Sequence, residues 1–231
     1  MSRLTLSTRL TFAYLGLAAA DSWLAGSSRP LAATSRRLTK PLLMPTLAAS
    51  LATDRRAMGS PLRSSTLVAQ ACGWGGDLML LRHGTAAFAA GAGSFGVGHD
   101  AYVTGFRRHR DRGTRLRDTT TAKVAAGLVA LGGPTMAIGA FNQEKALGPA
   151  VLGYTALLAG MLAHAGHLDP TLPARSRRLT LAGAALFVGS DTVLGAGRFL
   201  VKNPPPRLES VVMATYTAGQ LLLSKGAALA G

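Results

Sequence analysis

The chain has 231 residues, 48% of them hydrophobic and 15% charged, with a mean hydropathy of +0.26 and a formal net charge of +15. The apolar residues come in long blocks separated by short basic loops, which excludes an ordinary water-soluble domain and points to a multi-span membrane protein. A single cysteine, Cys72, excludes an intrachain disulfide and any cysteine-based zinc site.

The basic excess does not call for nucleic acid. Lys and Arg sit between apolar runs, and no basic helix interleaves them with aromatics. A basic loop beside an apolar span faces anionic lipid headgroups instead.

Eight apolar segments follow one another. The first, 10–27, lies in MSRLTLSTRLTFAYLGLAAADS, with the basic start, apolar centre and Ala-rich end of a signal peptide. Its apolar run continues past Asp21 through Trp23, Leu24 and Ala25. That exceeds a signal core of about 7–15 residues, so it reads as a retained first helix. Segments 38–53 and 65–81 are short for a hydrocarbon core of ~30 Å and call for local thinning or polar flanks. Segment 85–106 places Ala90, Ser94 and Gly98 four apart, a face that lets helix backbones approach closely. After it comes FRRHRDRGTRLRD, residues 106–118, with six arginines. Segments 121–141 and 146–164 are almost wholly apolar. Segment 179–200 ends before the prolines at 204–206, and 209–229 closes the chain. β-Barrel alternation is missing, and helices are the other way to satisfy every backbone group in lipid. The fold class is therefore all-α, a polytopic transmembrane bundle of eight helices forming one integral membrane domain over 1–231.

Orientation follows from the basic residues. The N-terminus, the loops after segments two, four and six, the start of segment five and the C-terminus hold 16 Lys and Arg, against 9 on the other side. The richer side is expected in the cytoplasm, with both termini there, in the plasma membrane of a bacterium.

Seven ionisable groups fall inside or at the edges of these segments: Asp21, Lys40, Asp77, His99, Asp100, His164 and Asp191. A charge facing lipid costs roughly 2.5–3.5 kcal/mol, so such groups face the bundle interior. At a rise of ~1.5 Å per residue, Lys40 starts its span at the non-cytoplasmic face, with Asp21 and Asp77 about 6–8 Å inside it. Tyr216 falls at about 9–10 Å, Asp191 and Gln220 at about 14–15 Å, and His99 at about 21 Å. Singly, each has a plain structural role: an interhelical hydrogen bond, a snorkelling lysine, an interface aromatic at Tyr102. Jointly, two buried carboxylates with a lysine, a tyrosine and a glutamine at similar depth form a candidate reaction or transport site.

Five motifs carry a resemblance: KPLLMP at 40–45, GDLMLL at 76–81, FxxGxxxFxxxHxxY from Phe88 to Tyr102, GAALFVGSD at 183–191 and TYTAGQLL at 215–222. In this order and spacing the chain resembles the YhhN-type lysoplasmalogenase family from Lys40 to about Leu222. Two positions depart from the pattern: Asp100 stands after His99 in place of an apolar residue, and Pro45 adds a second proline to the span-two motif. The resemblance implies an eight-helix membrane enzyme that cleaves the vinyl ether bond of a lysoplasmalogen, releasing a fatty aldehyde and a glycerophospho-alcohol. It places the presumed catalytic aspartates on Asp77 and Asp191. Lys40, His99, Tyr102, Tyr216 and Gln220 match other motif positions and are candidates for substrate binding or support.

A vinyl ether is stable to base and labile to acid, so a protonated and an ionised carboxyl suit its hydrolysis. That reading needs no metal and no cofactor. Its partners are a lysolipid substrate and the bilayer lipids. Two alternatives stand beside it: a membrane lipid-binding or transport protein, and a metal-dependent lipid hydrolase drawing on Asp77, His99, Asp191, His164 and His167.

Overall fold

The computed structural model describes residues 4–231. Eight helices fill most of that span: α1 Leu6–Ala25, α2 Pro30–Ala52, α3 Arg63–Leu80, α4 Thr85–Arg108, α5 Thr120–Gln143, α6 Leu147–Ala165, α7 Ala174–Phe199 and α8 Pro206–Ala228. Their starts are encoded locally. The hydroxyls of Thr5 and Thr119 cap α1 and α5, each accepting a backbone N–H at 3.2 Å from the residue three further on. Pro206, the last of the three consecutive prolines, opens α8, where a missing N–H costs nothing.

α2 is longer than the apolar segment 38–53: it begins eight residues before it and has 23 residues, roughly 34 Å, and the added part is polar. Its first half is polar, and Arg36 and Thr39 within it have partners on other helices. Arg36 pairs with Asp21 of α1 at 3.5 Å and Glu209 of α8 at 2.5 Å, and Thr39 donates to Asp21 at 2.6 Å.

α5 is continuous but changes pitch. Leu128–Gly132 forms a π-helical turn ahead of Pro134. Proline cannot donate to the carbonyl four residues back, and the wider turn, eased by Gly132 and Gly133, accommodates its ring.

Three helices, α5, α6 and α7, are long and apolar enough to cross a membrane, which identifies a membrane protein. The others carry more of the inward polar residues. Large apolar side chains such as Phe12, Trp23, Leu31, Leu131 and Ile138 lie on the outside, each at least 60% exposed, whereas Asp21, Lys40, Gln70, Asp77, His99 and Gln220 are buried. Such an inverted distribution suits a lipid-facing exterior.

Seven helices close a ring, each packing on the next in the order α1, α2, α3, α4, α6, α7, α8 and back to α1; α5 lies outside against α6 and α7. Small residues set the closest approaches. Gly98 of α4 faces the Ala69 carbonyl and the Cys72 Cβ of α3, and Ser94 donates to the Cys72 carbonyl at 2.7 Å. At α7–α8, a Cβ on Gly183 would stand 2.7 Å from the Leu223 nitrogen and 2.8 Å from the Gly219 oxygen.

The loops at the end bearing the arginine-rich segment are structured. An antiparallel bridge joins Arg110 to Leu168, and Asp111 and Asp169 fold their own loops through hydrogen bonds to Thr114 and Thr171. Asp54 caps the short turn Arg55–Ala57, and the hydrogen bond from Arg56 is the main reason its carboxyl titrates below the usual range.

Candidate functional site

A cavity of about 940 Å³ is walled by α2, α3, α4, α5, α6, α7 and α8, and its lining includes exposed positions of α4 and α6 such as Val97 and Leu157. At the α3–α4 and α7–α8 ends, the exposed residues Arg82, His83, Arg198 and Glu209 form its charged rim. Arg198 is held there by stacking its guanidinium over Phe88, 5.2 Å from the ring centroid. Deeper in, the walls are mostly apolar, including Leu128, Met136, Val151, Leu158, Val188 and Met213. One face of α4 makes room with Ala89, Ala92, Gly93 and Gly96.

Two aspartates reach this cavity from different sides. Asp77 of α3 is buried and engaged at both oxygens: Lys40 Nζ lies 3.6 Å from Oδ1, and Tyr216 of α8 donates to Oδ2 at 2.9 Å. Asp191 of α7 is engaged at one. Its Oδ2 accepts from the Tyr154 hydroxyl of α6, while His99 Nε2 lies 3.7 Å from that oxygen and 3.0 Å from the Tyr154 hydroxyl oxygen. The two carboxylates thus differ in surroundings. One is ion-paired at one oxygen and hydrogen-bonded at the other. The other ends a line running from an imidazole through a phenol.

Aromatic rings link the partners of the two carboxylates. Phe187 meets His99 at 4.8 Å and Tyr216 at 5.4 Å, both edge-to-face, and Phe95 meets Tyr216 at 5.7 Å. The glycine before Asp77 belongs to this packing: a Cβ on Gly76 would come within 2.5 Å of the Phe95 ring.

Of the residues singled out from the sequence, Lys40, Asp77, Asp191 and Tyr216 line the cavity. His99, Tyr102 and Gln220 are buried outside its lining. Tyr102 does not sit at an interface; it is buried and donates to Gln220 Oε1 at 3.1 Å. Tyr216 and Gln220 share a face of α8, but one serves Asp77 and the other Tyr102. Asp21 is taken up by Arg36 and Thr39, and Asp100 lines the cavity as an exposed residue. His167 bonds to Thr114 in the loops beyond α4 and α6, at the end opposite the rim. Among the described residues no group of three His, Cys, Asp or Glu side chains converges as metal ligands would. Sequence reasoning missed Tyr154. A single hydroxyl in an apolar helix gives far less signal than a charge, although Tyr154 is the only aromatic residue of α6.

The fold and cavity define a helical membrane protein with Asp77 and Asp191, each held by partners on other helices, in the wall of a largely apolar cavity. The chain belongs to the YhhN family, whose model matches residues 35–227. Neither the search of curated proteins nor that of solved structures gave a match.

Proposed function

We propose that this protein is a multi-pass membrane hydrolase that cleaves the vinyl ether bond of lysoplasmalogen-like single-chain lipids by acid–base catalysis with Asp77 and Asp191. The observation that carries this reading is the unequal engagement of two carboxylates lining one cavity. The family resemblance supports it, and so does a chamber whose apolar walls suit an alkenyl chain below a charged rim.

Asp77, paired with Lys40 and bonded to Tyr216, is the ionised member. Among the described residues Asp191 Oδ1 has no hydrogen-bond partner, and it is the oxygen that carries the proton in this reading. It acts as the general acid and protonates the alkenyl carbon next to the one bonded to oxygen, which generates an oxocarbenium ion. The Asp77 carboxylate stabilises that cation and takes a proton from the water that adds to it, giving a hemiacetal. In the collapse, protonated Asp77 returns its proton to the departing glycerol oxygen. The Asp191 carboxylate takes the hemiacetal hydroxyl proton as the carbonyl forms. One water is consumed, one aldehyde and one alcohol leave, and both carboxyls are back in their starting states. The same pair of groups handles a related cation in glycosidases.

All eight helices cross the bilayer in this reading, and the substrate enters with its tail along the α4–α7 walls and its linkage near Asp77. The test is purified protein in lipid nanodiscs, incubated with a panel of alkenyl, alkyl and acyl lysolipids and followed by mass spectrometry. Fatty aldehyde from the alkenyl lipid alone is expected, with Asp77→Asn and Asp191→Asn each reducing its release by about 10²–10⁴-fold at normal abundance. Near-normal release in either variant removes that aspartate from the mechanism. A fatty acid product from the acyl lipid replaces this reading with an esterase.

A further inference from the structure

Gln70 of α3 is fully buried, and neither its Nε2 nor its Oε1 has a hydrogen-bond partner among the described residues. A carboxamide has two donors and two acceptor sites, and natural interiors satisfy such groups with protein or with ordered water. His99 Nδ1, on α4 one turn before Tyr102, is likewise buried and without a partner.

The position of Gln70 gives this significance. It lies seven residues before Asp77, on the same face of α3 and about 10 Å further inward. Gly73 stands between them and carries no side chain to fill the space. A Cβ there would meet the Tyr216 hydroxyl at 3.4 Å and Gln220 Nε2 at 3.5 Å. Gln220 in turn holds the Tyr102 hydroxyl at 3.1 Å. Polar groups therefore run inward from Asp77 through Tyr216 to Gln220 and Tyr102, with Gln70 on the same side of α3. None of the three inner groups, Gln70, Tyr102 and Gln220, lines the cavity itself.

Hydrolysis needs one water beside Asp77 at a moment when a seated lipid fills the apolar chamber and blocks its mouth. The side behind Asp77 is the remaining approach. We propose that Gln70, with Tyr102 and Gln220, holds buried water and that this store supplies the hydrolytic water. The supply role rests on the vinyl ether hydrolase reading above; the water site itself does not. A buried carboxamide that the protein leaves without partners is satisfied by ordered water.

The experiment is radiolytic hydroxyl labelling of the reconstituted protein in ¹⁸O-water, paired with steady-state kinetics on an alkenyl lysolipid. Slowly exchanging water marks the aromatic side chains beside it even where bulk solvent does not reach. Wild-type protein is expected to take ¹⁸O label on Tyr102 despite its burial, and Gln70→Met to lose most of that label. Gln70→Met is also expected to lower kcat by about tenfold while leaving KM unchanged. A purely packing role for Gln70 moves neither the label nor the split between kcat and KM. Absence of label on Tyr102 in the wild type, or wild-type kcat in Gln70→Met, overturns the proposal. If Gln70→Met does not fold, Gln70→Asn carries the same comparison, and unchanged label and kcat there overturn it equally. Label on Tyr102 with no cleavage of any lysolipid refutes the hydrolase reading and leaves the water site standing.

Discussion

Trp74 of α3 donates its indole N–H to the carbonyl of Pro41 on α2 at 3.0 Å, and that carbonyl is the one Pro45 leaves without a helical donor. A proline at position i removes the bond to the carbonyl at i−4, and in lipid such an orphan acceptor is costly. The second proline of the KPLLMP motif is thus compensated by the neighbouring helix, next to the residue that presents Lys40 to Asp77. Trp74→Phe is expected to destabilise the protein by about 1 kcal/mol in the native background. In a Pro45→Ala background the restored backbone N–H serves the same carbonyl, and the cost of Trp74→Phe falls to a few tenths of a kcal/mol. Unfolding in mixed micelles across the four-member cycle measures the coupling. Equal costs in both backgrounds refute it.

Lys40 and Asp77 form a buried pair whose members depend on each other. Removing one partner of such a pair leaves an uncompensated charge and costs about 3–5 kcal/mol, whereas replacing both is far milder. Lys40→Met is therefore expected to lower thermal stability sharply, and the double variant Lys40→Met, Asp77→Asn to recover most of the loss. The double variant remains inactive, which separates folding from chemistry. A stable Lys40→Met single variant contradicts the ion pair.

The all-α bundle and most of the cavity acids were readable from the sequence because charge inside an apolar block is a strong signal. Asp77, Asp191 and Lys40 stood out by charge, and depth grouped them with Tyr216 but also with Asp21 and Gln220, which do not line the cavity. What resisted reading was anything defined by a partner on another helix. The polar start of α2 looked like a loop because its charges are satisfied by Asp21 and Glu209, which lie 15 residues before Arg36 and 173 after it. Tyr154 hid in an apolar helix until His99 and Asp191 were seen on either side of its hydroxyl. Gly76 gave no signal of its own, and its reason is the Phe95 ring 19 residues later.

α7 and α8 carry Asp191 and Tyr216, so their spacing sets the relative height of two groups in the cavity. That spacing has no slack at Gly183, where an added methyl meets backbone atoms that cannot rotate away. Gly183→Ala is expected to cost about 1–3 kcal/mol by overpacking and to lower activity beyond the loss of folded protein. Gly16 of α1 has open space around it, and Gly16→Ala is the control: neutral or slightly stabilising, since alanine is the better helix former. Unfolding midpoints and activity per folded molecule check both, and a harmless Gly183→Ala refutes the close contact.

The two tyrosines that serve the aspartates are predicted to differ in weight. Tyr216 shares Asp77 with Lys40, so Tyr216→Phe removes one of two supports. Tyr154 is the hydrogen-bond donor to Asp191 and also the group through which His99 reaches it. A hydrogen bond to a charged group is worth about 1.5–3 kcal/mol, which corresponds to about 10–100-fold in rate when it acts on the transition state. Tyr154→Phe is therefore expected to lower kcat by about 10–100-fold with little change in KM, and Tyr216→Phe by less than about tenfold. His99 Nε2 also lies 3.7 Å from Asp191 itself, but its hydrogen bond, at 3.0 Å, is with the Tyr154 hydroxyl, so combining Tyr154→Phe with His99→Ala should add little. Multiplicative losses in that double variant would instead give His99 a separate role against the substrate, and equal losses for the two tyrosines would undo the distinction drawn between the carboxylates.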